Sequence, residues 1–413
     1  MSYKFVKVNL LYSAYLADYY FRYPRVTEGS YAEQLSHLMS DRFGWADLLS
    51  SGLGRLGVDA QEIVFNAPAL QNAWAIEHGS RNSRHRLLIQ QLKAIQPDVV
   101  LWDSFPIHDG EFIDHVKTEV RSIRQNIGYW GGPFSLDHVR QFKSFDYMLS
   151  CSPGFVSTFE MHGIPSHHFN HAFEPRILGE LNLNNTYPIS DLFFSGSLMI
   201  GPQHHNQRIK VIEKLLADNV DVQVHASLLR EGLFRLSLKR GLFLTTLALK
   251  SLGLEKLFGR IPEIERAAQW SEWPKRRKYP KPVERTTQSP LFGIEMLKAL
   301  SRAKISFNSH IDAAGKYAAN MRLFEATGAG TCLVTDWKEN LHELFELDKE
   351  VVTYRSGEEC VEKVEWLLNH PRERESIAMA GQRRTLGEHT YDKRAGQLDD
   401  IINMEFLSGA GSS

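Results

Sequence analysis

The densest set of residues suited to chemistry lies between Asn308 and Asp336, in the run NSHIDAAGKYAANMRLFEATGAGTCLVTD. A strand is expected at Ile305–Asn308, followed by a polar loop and a helix beginning near Asn320. The first turn of a helix has unpaired backbone N–H groups, which suit a diphosphate. Asn320, Met321 and Arg322 stand at that expected start, and a guanidinium can grip a phosphate with two parallel hydrogen bonds. Glu325, one turn further on, is placed to accept from vicinal hydroxyls such as those of a ribose. Gly328 and Gly330 either let the backbone pass close to a bound nucleotide or cap the helix.

A second group follows the strand expected at Asp191–Ser195. Gly196 and Ser197 read there as a turn at a carboxyl end, where open α/β sheets bind ligands. His225 is expected to end the next strand, where it either meets a base or is a satisfied histidine. His310 follows Ile305–Asn308, also at a carboxyl end, and His204 and His205 read as surface residues. Asp103, His108 and Asp109 come after the buried run PDVVLW. One of them can act as general base towards an acceptor hydroxyl, and helix capping is the alternative. Glu28 and Tyr31 are candidates for acceptor binding, whereas Ser30 and Glu33 fit the S-x-x-E capping pattern. His167, His168 and His171 lack companion acids or cysteines at metal-ligand spacing, so no metal site is expected. Neither a G-x-S-x-G elbow nor a Walker-type loop occurs.

These residues need elements to hold them. Strands are expected at Phe5–Leu11, Ala60–Phe65, Pro97–Trp102, Asn126–Trp130 and Tyr147–Ser150, with helices at Tyr31–Leu53 and Leu87–Ile95. Short buried strands alternating with helices predict a doubly wound parallel sheet. A second such set is expected from Asp191, with a helix at Arg208–Ala217 and strands at Val220–His225, Ala303–Asn308 and Thr331–Thr335. The reading is therefore two Rossmann-like domains, residues 1–183 and 184–390, with a final helix at 391–406 and a linker-like junction at Leu178–Pro188. Residues 228–289 interrupt the rhythm with Lys and Arg outnumbering Asp and Glu roughly two to one, KRRKYPKP (Lys275–Pro282) included. This insertion is either a basic element touching anionic lipid or a helical pair with solvated charges.

The chain has 413 residues, 43% of them hydrophobic, and a formal charge of −1. That length suits two cores, and near-neutrality gives no global field towards nucleic acid. Three widely spaced cysteines suit a reducing cytosol. The N-terminal residues lack the pattern of a signal peptide, and no run reaches the ~20 apolar residues of a spanning helix. A cytoplasmic protein is expected, peripheral to a membrane at most.

NMRLFEATGAGTCLVTD and the following ENLHELFELDKEVVTYRSGEECVEKVEWLLNHPRERESIAMAGQRRTLGEHTY resemble the glycosyltransferase group 1 superfamily, closest to its spore-maturation-protein-like branch. SPLFGIEMLKALSRAKISFNSHID, FFSGSL and NIGYWGGPFSLDHVRQFKSFDYMLSCSPGFVSTFEMHGIP extend the resemblance over nearly the whole chain outside the insertion. It implies a GT-B fold: two Rossmann-like domains facing a cleft, donor nucleotide on the C-terminal one, acceptor on the N-terminal one, no obligatory metal and no cofactor beyond the nucleotide-sugar donor. The family's ribose-binding acid falls on Glu325, its glycine-rich turn on Gly196–Ser197, and its last helix, from about Tyr391, is expected to cross back to the N-domain. Many retaining members carry a second acid eight positions before the first, and here that position is Tyr317. The expected activity is sugar transfer to a hydroxyl acceptor such as a growing bacterial surface glycan. A nucleotide-sugar epimerase and an inactive nucleotide-sugar-binding scaffold are the alternatives.

Overall fold

Four consecutive residues of Val99–Asp103 are buried, so this segment needs cover on both faces, the situation of a central parallel strand. The same holds for Gln125–Tyr129 and Tyr147–Ser150. The computed structural model describes residues 2–103, 110–181, 190–228, 232–254, 264, 267–268, 273–274 and 278–410. Its strands are β1 (Lys4–Asn9), β2 (Asp59–Val64), β3 (Val99–Asp103), β4 (Gln125–Tyr129), β5 (Tyr147–Ser150) and β6 (Ser166–His168), then β7 (Ser190–Leu198), β8 (Val222–Leu228), β9 (Thr287–Gln288), β10 (Ala303–Asn308), β11 (Cys332–Asp336) and β12 (Val352–Tyr354). They form two six-stranded parallel sheets, ordered β2-β1-β3-β4-β5-β6 and β12-β11-β10-β7-β8-β9.

Each order reverses direction once. In the first sheet the chain steps from β1 outward to β2, then returns to place β3 on the other side of β1. In the second, β10 returns to the far side of β7 after β8 and β9. Such reversals leave a crevice beyond the strands' carboxyl ends, where neighbouring connections run to opposite faces. Asn9 and Asp103 pair across the first reversal, and β7 and β10 flank the second.

A continuous apolar cluster joins the two units. Tyr15 stacks on Phe43 at 3.8 Å, and Phe292 meets both rings edge-on at 5.8 and 5.6 Å. Asp41 accepts both Nη groups of Arg22 at 2.9 Å, while its carbonyl accepts from Ile294 N at 2.7 Å. The helix Tyr391–Ala410 lies on the N-terminal unit. There Tyr3 Oη donates to Asp399 and Gln125 Nε2 to the Ile402 carbonyl.

Several local expectations need correction. The stretch Tyr31–Leu53 is two helices, Tyr31–Ser40 and Leu48–Arg55, because Arg42, Gly44 and Ala46 between them take left-handed backbone angles. Gly196 and Ser197 are not a turn. β7 runs on through them, paired with Ala226 and Ser227 of β8, because both strands still have partners there. For the same reason His225 sits inside β8 rather than at its end. The helix expected from Asn320 starts at Arg322 and has 7 residues. The expected insertion is shorter than 228–289, since Lys281–Thr286 is a helix of the domain and β9 pairs with β8. Lys275, Arg276 and Arg277 lie outside the described residues, as does the junction at 182–189.

Candidate active site

A cleft of about 670 Å³ opens between the two sheets' carboxyl ends. Asn9, Asp103, Trp45, Tyr129 and His171 line it from the N-terminal unit. Ser195, Gly196, Ser197, Arg208, Asn308, Asn320, Met321, Arg322 and Glu325 line it from the other. The two reversals of strand order thus face each other across one space.

Arg208 dominates the C-terminal wall. It sits in the first turn of the helix Asn206–Ala217 and is only 7% exposed. Its Nη1 donates to the Ser197 carbonyl at 2.7 Å, and Nε and Nη2 donate to the Ser309 carbonyl. Among the described residues no carboxylate lies within ion-pair distance of it. Burial pulls its guanidinium down to about 10. Its guanidinium also lies over the Phe194 ring, 5.5 Å from the centroid, and a buried cation without an acid beside it is costly unless an anion joins it. Gly196 keeps this wall open, since a Cβ there would lie 3.1 Å from the Phe194 ring and 3.6 Å from Arg208 Nη1. The start of the same helix is already occupied, because Asp312 accepts from the backbone N–H groups of Asn206 and Gln207. Sequence reading overlooked Arg208. Its position in the first turn of the helix that follows the strand carrying Gly196 and Ser197 was the available signal.

The expected phosphate grip of Arg322 meets other partners. Its Nη2 donates to the Ser195 carbonyl at 3.0 Å and its Nη1 pairs with Glu325 Oε2 at 2.9 Å, so the side chain braces the short helix against β7. Glu325 lines the cleft with one oxygen engaged by that pair. Asn320 donates to Asn308 Oδ1 at 2.7 Å, and Asn308 donates to Thr335 Oγ1 at 2.8 Å, which fixes both amides at the end of β10. Gly328 and Gly330 do not line the cleft. Gly328 lies under Phe173, where a Cβ would come within 2.2 Å of the ring, and Gly330 takes φ 84° just past the helix.

The histidines divide by partner. His205 is buried at the cleft, its Nδ1 accepts from Met199 N, and burial pushes it down to about 3. It is therefore not the surface residue expected, while His204 also lines the cleft. His225 tilts against Phe193 and bonds the Ser289 carbonyl, and it does not line the cleft. His310 is buried behind the wall with Nδ1 2.7 Å from Asp336 Oδ1. Burial alone would raise the Asp336 carboxyl, but His310 and Lys338 outweigh it and hold it well below the usual range.

On the N-terminal wall, Asp103 ends β3 beside Asn9. His108 and Asp109 lie outside the described residues. Trp45 Nε1, a donor only, bonds His171 Nδ1 at 2.9 Å, so the ring's one proton sits on Nε2, which faces Tyr129 Oη at 3.1 Å. Burial pushes His171 down to about 3 and lifts Tyr129 well above its ordinary value. This neutral chain shapes the floor of the cleft. Tyr31 and Glu28 do not line it. Tyr31 lines a separate depression with Glu62, Trp74 and Gln91. Ser30 and Glu33 form the capping box. Tyr317 turns towards the N-terminal unit, where a Cβ on Gly154 would lie 2.8 Å from its ring, and it too is absent from the cleft wall. Among the described residues no three His, Cys, Asp or Glu side chains are grouped to hold a metal ion.

Residues 240–400 match the family model described as glycosyl transferase-like. No curated protein sequence matches the chain. Among solved structures, Anabaena Alr3699/HepE in complex with UDP-glucose is similar with a TM-score of 0.54 at 11% identity, over 97% of this chain and 100% of that one. A glycosyltransferase from Rickettsia africae gives 0.53 at 10% over 97% of both chains. Sucrose-phosphate synthase from Thermosynechococcus elongatus gives 0.51 at 9%, over 98% of this chain and 100% of that one. The fold is therefore GT-B, and a glycosyl transferase-like segment spans the wall that carries Asn308, Asn320, Arg322 and Glu325.

Proposed function

We propose that this chain transfers a sugar from a nucleoside diphosphate sugar to a hydroxyl acceptor, with the donor on the C-terminal wall of the cleft. The observation that carries the reading is Arg208, a buried cation held by two carbonyls and the Phe194 ring with no acid within ion-pair distance among the described residues, lining a cleft between two sheet reversals. A diphosphate leaving group gains negative charge as the glycosidic bond breaks, and a fixed cation stabilises that charge without reorganising. Arg208 then supplies the positive charge, and the reading calls on no further cofactor. Asn308 and Asn320 are fixed amides at the β10 end that orient the donor, and Glu325 accepts from ribose hydroxyls on its oxygen turned from Arg322. Asp103, across the cleft, takes the acceptor's proton.

The UDP-glucose complex of the Anabaena protein and the glycosyl transferase-like segment support a nucleotide-sugar donor. The resemblance to the spore-maturation-protein-like branch favours a saccharide acceptor. The test is a thermal-shift screen of nucleosides, nucleoside diphosphates and nucleotide sugars. A ligand at 100 times its Kd adds about 2.7 kcal/mol of stability. A nucleoside diphosphate should raise Tm, and Glu325→Ala should remove most of the gain. Product formation from donor alone, without acceptor, would instead point to an epimerase.

A further inference from the structure

The helix Leu233–Ser251 has 19 residues, four cations (Arg235, Lys239, Arg240 and Lys250) and no acid. Of the 16 exposed large hydrophobic side chains among the described residues, six fall between Phe234 and Leu254. Phe234 is 83% exposed, Leu238 56% and Leu252 69%. Phe234, Leu238, Gly241, Thr245, Ala248 and Leu252 follow one another at alternating four- and three-residue spacing, so they form one uncharged stripe, exposed throughout. A globular helix turns such a stripe inward. Here the inward side is the opposite one. Leu236 and Thr246 are buried, and the chain that returns from the helix contacts that side. Trp273 meets Phe243 edge-on at 5.7 Å, the Pro274 carbonyl accepts from Arg240, and the Ala268 carbonyl accepts from Lys250. Those described parts of the returning chain leave the stripe open.

We propose that this helix docks the protein on a membrane surface bearing anionic headgroups, lying in the plane of the interface with the Phe234–Leu252 stripe among the acyl chains. An apolar stripe on a purely cationic helix matches an interface that is apolar inside and negative at its rim. No described helix is long and apolar enough to cross a membrane, and this one carries too much charge to be buried in it. The helix begins five residues beyond Leu228, the end of β8, and Ser227 beside it lines the cleft. The lipid surface thus lies near the cleft mouth, where an acceptor held in the bilayer would be met. The docking stands independently of the reaction proposed for the cleft.

The experiment is flotation of the full chain with phosphatidylcholine vesicles, with and without phosphatidylglycerol. Co-flotation with the anionic vesicles is expected, with partitioning lowered at least tenfold in Phe234→Ser/Leu238→Ser, since both exposed side chains lose the apolar area they would bury among the acyl chains. Leu252→Ser, at the far end of the stripe, should lower it too. Neither variant touches the core, so nucleotide binding should be unchanged in both and reports that they fold. Absence of co-flotation, equal partitioning of parent and variants, or equal binding to uncharged vesicles would overturn the proposal. So would a concentration-dependent dimer that the same variants abolish, which would make the stripe an interface between two copies.

Discussion

Arg208→Met tests the proposed donor site most directly. Methionine keeps much of the side chain's length and removes the charge. In the native cleft, burial draws the guanidinium from 12.5 to about 10. At about 1.36 kcal/mol per tenfold, holding that charge costs roughly 3 kcal/mol. Against this stand the bonds to the Ser197 and Ser309 carbonyls, each contributing about 1.5–3 kcal/mol for a charged donor. The two effects oppose each other, so the empty variant should unfold within about 2 kcal/mol of the parent. Nucleotide binding has no such cancellation. A diphosphate loses its buried counter-charge and one or two charge-assisted bonds, about 3 kcal/mol, so its Kd should rise roughly 100-fold. If Arg208 acts on the phosphates alone, the bare nucleoside should bind the variant and the parent equally. Titration calorimetry with nucleoside, nucleoside diphosphate and nucleotide sugar separates these terms, and Arg208→Lys, a charge without the fork, should fall between. An unchanged diphosphate Kd in the folded variant would refute the reasoning. Equal losses for nucleoside and diphosphate would refute it too, because Arg208 would then be acting on the shape of the wall rather than on phosphate.

Asp103→Asn should lower kcat by about 10²–10⁴ while leaving nucleotide affinity within a few-fold, as measured by steady-state kinetics beside calorimetry. Gly328→Ala should destabilise the protein by about 1–3 kcal/mol in urea, because its Cβ would lie 2.2 Å from the Phe173 ring. His171 and His205 are both held near 3 when folded, against 6.5 when unfolded, with burial the largest cause. The unfolded chain therefore binds more protons between those values, and stability should fall as pH drops below 6.5. Between pH 6.5 and 5 the loss should reach about 2 kcal/mol for each histidine, and urea denaturation of His205→Gln should show a shallower slope over that window.

The sequence was most legible where its information is local. Runs such as VVLWD and YMLS, buried on both faces, announce parallel strands by composition alone, and Tyr147–Ser150 was placed to the residue. The Ser30–Glu33 capping box was equally plain, because donor and acceptor lie within one turn. Local patterns also marked Asn320, Met321, Arg322 and Glu325 for the cleft wall. Strand ends were read less well. Gly196 and Ser197 look like a turn, yet β8 continues beside them, and pairing to a strand some 30 positions away decides where β7 stops.

By itself, then, the sequence determined two alternating α/β units, a polar C-terminal motif and a basic segment within the second unit, since burial periodicity and charge pattern are properties of neighbouring residues. Only the tertiary structure decided which charges are matched. Arg322 and Arg208 are both arginines opening a helix, but Glu325 is one turn from the first, whereas the second is held by two carbonyls, one of them from Ser309, 101 positions away. A side chain's free charge depends on what folding brings beside it, and that left Arg208, rather than Arg322, facing the cleft without an acid.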